Sequence, residues 1–234
     1  MSFAPSAFAG KAVVVAKPTA RTGRTSVRVQ AADRPVWFPG NEPAPHLDGS
    51  MPGDYGFDPL SLGSDPEYLK IWREAELQHA RWAMLGAAGV LAQEIVKPDV
   101  NFYDAPTKID LPFSIPTLIG IQFILMHYVE IRRWQDLRKP GSVNADPFNP
   151  KYKLPDHEPG YPGGIFAPFI PGDIETLKVK EIKNGRLAML AFMGYIAAYL
   201  ATGMGPLEAL GAHMADPGKV NAFSYGAIPS PGSF

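Results

Sequence analysis

The sequence predicts an all-α membrane protein. It should have three transmembrane helices, the first and third crossed as a pseudo-two-fold pair, plus a short amphipathic surface helix. Three observations predict this. Glu76-Leu77-Gln78-His79-Ala80-Arg81-Trp82-Ala83-Met84-Leu85 is echoed by Glu181-Ile182-Lys183-Asn184-Gly185-Arg186-Leu187-Ala188-Met189-Leu190, and each copy runs on into an apolar segment. Phe113 to Val129 and Leu187 to Leu207 contain no formal charge. The 25 Pro and 23 Gly gather outside these runs, which implies long irregular connections. A mean hydropathy near zero averages polar connections with strongly apolar stretches.

Residues 1–32 hold Lys11, Lys17, Arg21, Arg24 and Arg28, no acid, and many Ala, Ser, Thr and Val. A basic, hydroxyl-rich, acid-free leader predicts an organelle transit peptide. Residues 33–63 are turn-rich and predict an ordered segment without regular structure. The first helix, 66–97, starts at Ser64 or Asp65 as cap with Pro66 at its first position, and meets no breaker until Pro98. The second, 113–135, ends in the basic and aromatic Arg132-Arg133-Trp134, an interfacial anchor. The third, 173–203, contains the clearest membrane span. The surface helix covers 206–214, and the tail from 217 is loop.

The connection between the first two spans is net negative, and that between Arg132 and Glu158 is net positive. The latter and the N-terminus therefore belong on the side of insertion. Small residues, Gly86 and Gly89 in one copy and Ala191 and Gly194 in the other, mark where the repeats should approach. Phe57-Asp58-Pro59-Leu60 and Phe166-Ala167-Pro168-Phe169 extend the repeat upstream.

Charges leading into a membrane are costly unless used. Five helical residues separate Glu76 from Arg81 and Glu181 from Arg186, about 140° around the axis, so neither pair closes on itself. Crossed helices predict the reciprocal pairs Glu76–Arg186 and Glu181–Arg81, and simple interhelical bridging is one complete explanation. Such pairs repay desolvation poorly, which suggests a second use. An Arg-neutralised carboxylate keeps an oxygen suited to a hard cation such as magnesium. A chlorin fills four equatorial positions itself, so each ring needs a single axial ligand. Candidates are scattered accordingly: Glu76 and His79, Gln122 and Glu130 on one face of the second span, Glu181 and Asn184, and His213. Arg133 is placed to neutralise Glu130.

Other chemistries find less support. Glu76-x-x-His79 is half of a di-iron motif, but the second copy carries Asn184. Without cysteine there is no disulfide, thiolate site or Cys nucleophile. No nucleotide-binding glycine loop or Ser/His/Asp set appears, and nothing suggests nucleic-acid binding. His127 is more plausible as a packed residue than a ligand, and His46 and His157 receive no role. A small transporter would show inverted half-repeats or broken helices, and neither is evident.

Five motifs together resemble the light-harvesting chlorophyll a/b-binding family of plant and green-algal thylakoids. They are Pro52 to Pro59, Glu76 to Gly86, Tyr161 to Phe166, Lys178 to Met189, and Gly205-Pro206-Leu207-Glu208 leading to His213 and Asp216-Pro217. The resemblance covers about 36–216 and makes 33–234 the pigment-binding domain. It implies a non-enzymatic antenna that binds chlorophyll a, chlorophyll b and lutein-like xanthophyll carotenoids, with magnesium present only inside chlorophyll. Its location would be the chloroplast thylakoid membrane, multi-pass, with a stromal N-terminus.

By motif position the resemblance makes Glu76, His79, Glu130, Glu181, Asn184 and His213 axial ligands, and Gln122 a ligand through water. Trp37 would offer a backbone carbonyl to a peripheral pigment. Arg81, Arg186 and Arg133 would be ion-pair partners. Lys180 and Lys183 would meet a chlorophyll edge or a thylakoid lipid phosphate. Met126 to Asp136 with Lys139 to Val143 is similar to the photosystem I branch, implying a photosystem I core and neighbouring antenna subunits as partners. A photoprotective, quenching member of the same superfamily is the alternative. Asn41 and Glu42 follow Trp37-Phe38 where the trimer motif has Arg, so a homotrimer is not expected. Ala198 stands where many members have a Gln ligand, and Ala167 replaces the Asp of one carotenoid clamp. His79 in place of Asn argues against a strongly red-shifted pigment pair.

Overall fold

The computed structural model describes residues 34–147, 149 and 151–221; the expected transit peptide, 1–32, lies outside the described residues. In chain order the helices are α1 (Pro66–Val96), α2 (Ala105–Lys108), α3 (Ile115–Arg138), α4 (Ile174–Thr202) and α5 (Pro206–Ala215), with a 3-10 turn at Gly164–Phe166 before α4. No β-strand occurs among the described residues, only an isolated bridge between Ala145 and Lys153.

Each long helix begins at a side-chain cap. Asp65 accepts from the Glu67 amide, Ser114 from Thr117 and Asp173 from Thr176. At Asp173 those hydrogen bonds also hold the carboxyl below its usual range, so the cap stays ionised. Gly203, at φ 72°, ends α4 in a left-handed conformation open to glycine without strain, so the apolar run to Leu207 is two helices and not one. The second helix begins at Ile115 and runs to Arg138, beyond the predicted 113–135, because Ser114 sets its start and no breaker occurs before Pro140. Neither α2 nor the 3-10 turn was evident in the Pro-rich connections.

α1 and α4 cross and supply most of the contact between helices, with α5 tucked against their far ends; α3 stands to one side. The crossing lies about two turns earlier than predicted. A Cβ built on Gly185 would sit 2.3 Å from the Ala80 Cβ. Gly89 and Gly194 face open space, and Gly86 meets only the Phe192 ring, at 3.3 Å. Ala80 and Gly185 are equivalent in the repeat, as are the buried Leu77 and Ile182, so the pseudo-two-fold axis passes through the motif itself. Two-fold geometry makes equivalent positions meet.

Outside this crossing little is buried. Leu85, Ile119, Phe123, Ile124, Leu125, Leu187, Leu190 and Met193 are all exposed, an apolar area that a water-soluble monomer does not carry. Among the described residues α4 alone is long and apolar enough to cross a membrane, and protein covers little of its apolar stretch. α1 and α3 have the length, about 46 and 36 Å at the helical rise, but charge fills the first half of α1 and the last third of α3.

Gly185→Ala should lower the thermal midpoint of the refolded chain in detergent, by an overpacking cost of about 1–3 kcal/mol. Gly194→Ala should leave it unchanged or raise it by up to about 1 kcal/mol through helix propensity. Far-UV circular dichroism melts check both; equal effects would misplace the crossing.

Candidate functional site

The charged motifs meet across the crossing. Arg186 Nε donates to Glu76 Oε1 at 2.7 Å, and Arg81 Nε donates to Glu181 Oε1 at 2.7 Å, the reciprocal pairing the spacing predicts. Each arginine then reaches a loop. Arg186 donates to the Gly53 carbonyl at 2.7 Å and Arg81 to the Gly160 carbonyl at 2.8 Å. Gly53 and Gly160 both have positive φ and lie against Ile182 and Leu77, where a Cβ would stand 2.8 and 2.9 Å from the side chain. Sequence reasoning missed these two glycines. The signal was present: Pro52-Gly53 and Pro159-Gly160 form a duplicated Pro-Gly pair upstream of each helix.

The candidate ligands have a common arrangement. His79 is exposed and its Nδ1 lies 2.8 Å from the Ala75 carbonyl. A carbonyl only accepts, so Nδ1 is the donor, and in the neutral imidazole Nε2 then keeps its lone pair. Asn184, also exposed, donates Nδ2 to the Lys180 carbonyl at 2.9 Å, which leaves Oδ1 outward. Ala75 and Lys180 are equivalent in the repeat. On α5, His213 Nδ1 lies 2.5 Å from the Val220 carbonyl, again freeing Nε2.

Glu130 is held on one oxygen only. Arg133 Nε donates to its Oε2 at 2.9 Å, with a second contact from the same guanidinium, and Oε1 is unengaged among the described residues. Glu76 also receives Arg73, at 3.2 Å, and Glu181 a second Arg81 contact at 3.3 Å, yet each carboxylate oxygen retains a lone pair. Gln122 is exposed and without a partner among the described residues. No three acidic or histidine side chains converge as a cage for a bare ion among the described residues. Each of these atoms can therefore serve as one axial ligand to a metal whose other positions are filled elsewhere, which fits a chlorin and not a free cation.

The remaining predicted residues surround this set. Trp37 is half-exposed; its amide donates to the Tyr55 carbonyl at 3.0 Å and its ring meets Phe57 edge-on at 4.9 Å. Lys180 is exposed, and Lys183 lies over the Tyr55 ring, 5.4 Å from its centroid. His127 stacks on Phe123. Asp58 accepts from Leu62, Gly63 and His46, closing the turn before α1; hydrogen bonding overcomes its burial and lowers its carboxyl pKa. Ala167 provides no such anchor before α4.

Two cavities flank the crossing. One of about 480 Å³ lies between Trp37, Tyr55, Phe57, Trp72 and Glu76. The other, about 420 Å³, lies among Glu74, Tyr128, Arg133, His157 and Phe166. Both are of a size and lining suited to an elongated apolar ligand with a few polar contacts. His157 closes the second from the connection, with Nε2 2.9 Å from Asp136 Oδ2 and Nδ1 3.1 Å from the Pro155 carbonyl. Neither this pair nor Glu74 was predicted, since a loop histidine and an extra helical glutamate carry no spacing signal.

The chlorophyll A-B binding protein family matches residues 43–200. A chloroplastic chlorophyll a-b binding protein of Petunia hybrida is 48% identical, over 92% of this chain and 85% of the relative. Chlorophyll a-b binding protein 4 of Arabidopsis thaliana is 49% identical, over 84% and 80%. Photosystem I chlorophyll a/b-binding protein 6 of Arabidopsis thaliana is 47% identical, over 82% and 75%.

Burial opposes charge on His157, but the Pro155 carbonyl and the Asp136 carboxylate outweigh it and raise its pKa. A folded-state pKa above the unfolded one, near 6.5, gives a stabilisation complete below that value and lost as pH rises through the folded pKa. The difference in thermal midpoint between the unsubstituted chain and His157→Gln should therefore shrink as pH is raised from 6 to 9. A difference independent of pH would remove the charged pair from the account.

Proposed function

Because the chain belongs to the chlorophyll a-b binding protein family, we propose that it is a light-harvesting antenna subunit holding chlorophyll a, chlorophyll b and carotenoids. Bound pigments supply light absorption and excitation transfer. The protein makes and breaks no bond; its residues set where each ring stands, how it is turned and what polarity surrounds it.

One observation carries the ligand assignment. At His79, Asn184 and His213 the donor atom is already bonded to a backbone carbonyl, and the acceptor is left facing outward where no protein packs. Glu76, Glu181 and Glu130 add carboxylates neutralised by Arg186, Arg81 and Arg133. Neutralisation lets an oxygen approach a metal without bringing a net charge to bilayer depth. Gln122, exposed on the same helix as Glu130, serves through water. Trp37, Lys180 and Lys183 border peripheral pigment or lipid, and the two cavities receive the carotenoid ends.

α1, α3 and α4 all span the thylakoid membrane in this reading. The exposed apolar faces of α1 and α3 support it, as does the cancellation of their charges within the bundle. Gly53 and Gly160 meet the same charged crossing, which supports a shared side for the segment before α1 and the connection before α4; the net positive charge between Arg132 and Glu158 favours the stroma as that side. The opposite ends meet through Glu94, which accepts from the Leu207 and Glu208 amides at the start of α5, and through Tyr103 stacked on Tyr199. The relative named as a photosystem I protein supports photosystem I as the destination; Asn41 and Glu42, standing where the trimer motif has Arg, favour contact with neighbouring antenna subunits over a homotrimer.

Reconstitution of the full chain with chlorophylls a and b and carotenoids tests this by pigment count. His79→Phe should lose one chlorophyll per chain with modest destabilisation. Glu181→Leu with Arg81→Leu should lose pigment yet keep the helical circular dichroism. Removing both partners avoids the stranded charge, worth about 3–5 kcal/mol when buried, that a single change leaves. Unchanged absorption in both variants would overturn the ligand assignment.

A further inference from the structure

The crossed pair offers two nearly equivalent sides, yet α3 occupies only one. The repeat differs there at a buried position: Glu74 on α1 corresponds to Val179 on α4. Glu74 is 3% exposed, and its Oε1 accepts from Arg133 on α3 at 3.1 Å and from Gln78 at 3.1 Å. Its Oε2 is buried with no hydrogen-bond partner among the described residues, pressed against Gly160, where a Cβ would come within 2.5 Å. Arg133 thus divides its donors between two helices, Nε and Nη2 toward Glu130 and Nη1 toward Glu74.

We propose that Glu74 is the positioning residue of the Glu130 site: it selects the side on which α3 docks and holds Arg133 turned so that Glu130 keeps Oε1 free. α3 makes little direct contact with the other helices, so one charge-assisted bond from α1 weighs heavily on its placement. Other ties run to the connection: Arg132 donates to the Val143 and Ala145 carbonyls, and Asp136 accepts from Gly141 and faces His157. These fix the end of α3 to its own loop, not to α1. Without Glu74 the Arg133 fork is free to close on both oxygens of Glu130, the bidentate geometry guanidinium prefers. A valine, as the other half of the repeat has, offers no hold. The pigment consequence rests on the reading of Glu130 as a chlorophyll ligand.

The chain has no cysteine, so introduced thiols label uniquely. Spin labels at Lys70→Cys and Lys139→Cys report the α1–α3 distance, and at Lys70→Cys and Ile174→Cys the α1–α4 distance, in the pigment-reconstituted full chain. Glu74→Val should widen or shift the first distribution by several ångström and leave the second unchanged. It should also lose the same single chlorophyll, with the same difference spectrum, as Glu130→Leu. Glu74→Gln, which keeps an acceptor toward Arg133, should retain both the distance and the pigment. An α1–α3 distribution in Glu74→Val that superimposes on the unsubstituted one overturns the proposal. If Glu74→Val does not refold, Arg133→Leu with the same labels decides in its place, by the same criterion. If Glu130→Leu keeps its full chlorophyll complement, the ligand reading of Glu130 fails, while the distances still judge Glu74.

Discussion

Two arginines, each reaching across a helix crossing to the other helix's glutamate and on to a glycine carbonyl, hold this molecule together. Because the crossing is as tight as Ala80 against Gly185, Arg81 and Arg186 are brought within 2.7 Å of the opposite carboxylates. Because each arginine has donors left over, it also fixes the loop that enters the opposite helix. A guanidinium can do both at once; a lysine ammonium lacks the planar fork. The pair therefore sets helix angle, loop position and carboxylate orientation in one step.

Most other features follow from how little else the polypeptide buries. Outside the crossing its large apolar side chains are mostly exposed, so the contacts that a water-soluble protein finds in its own core are left to the surroundings. Membrane helices gain little from hydrophobic burial against one another, and close backbone approach with polar bridges takes its place. That division explains why the buried apolar side chains among the described residues, Leu77, Ala80, Ile182 and Ala188, are confined to the duplicated motif while the flanks stay open. The half-turn asymmetries, Glu74 against Val179 and Asp58 against Ala167, then distinguish the two sides of an otherwise repeated frame.

Much of this was legible in the sequence because the controlling residues sit at fixed helical spacings. A five-residue Glu-to-Arg separation forbids local pairing, and duplication supplies the distant partners. Capping residues marked the helix starts closely, since Asp65 and Asp173 act through their own neighbours. Less was legible where geometry depends on the crossing point. Gly86 and Gly194 looked like contact residues by pattern, but only the angle of approach decides which small residue meets its equivalent. Glu74 and the Asp136–His157 pair were invisible for a similar reason, since their partners come from separate elements at irregular separations. The charged ends of α1 and α3 also keep composition alone from marking either as a span, because cancellation of charge is a property of the assembled bundle.

The central claim, that the crossed pairs present carboxylate oxygens to the magnesium of a chlorin, is tested most directly by an experimental structure of the pigment-loaded protein in lipid. The account predicts a chlorophyll magnesium at roughly 2.1 Å from one oxygen of Glu76 and another from one of Glu181, with Arg186 and Arg81 still paired to the same two carboxylates. Chlorophyll bound elsewhere, with both carboxylates facing water or lipid and no ring against them, would contradict it.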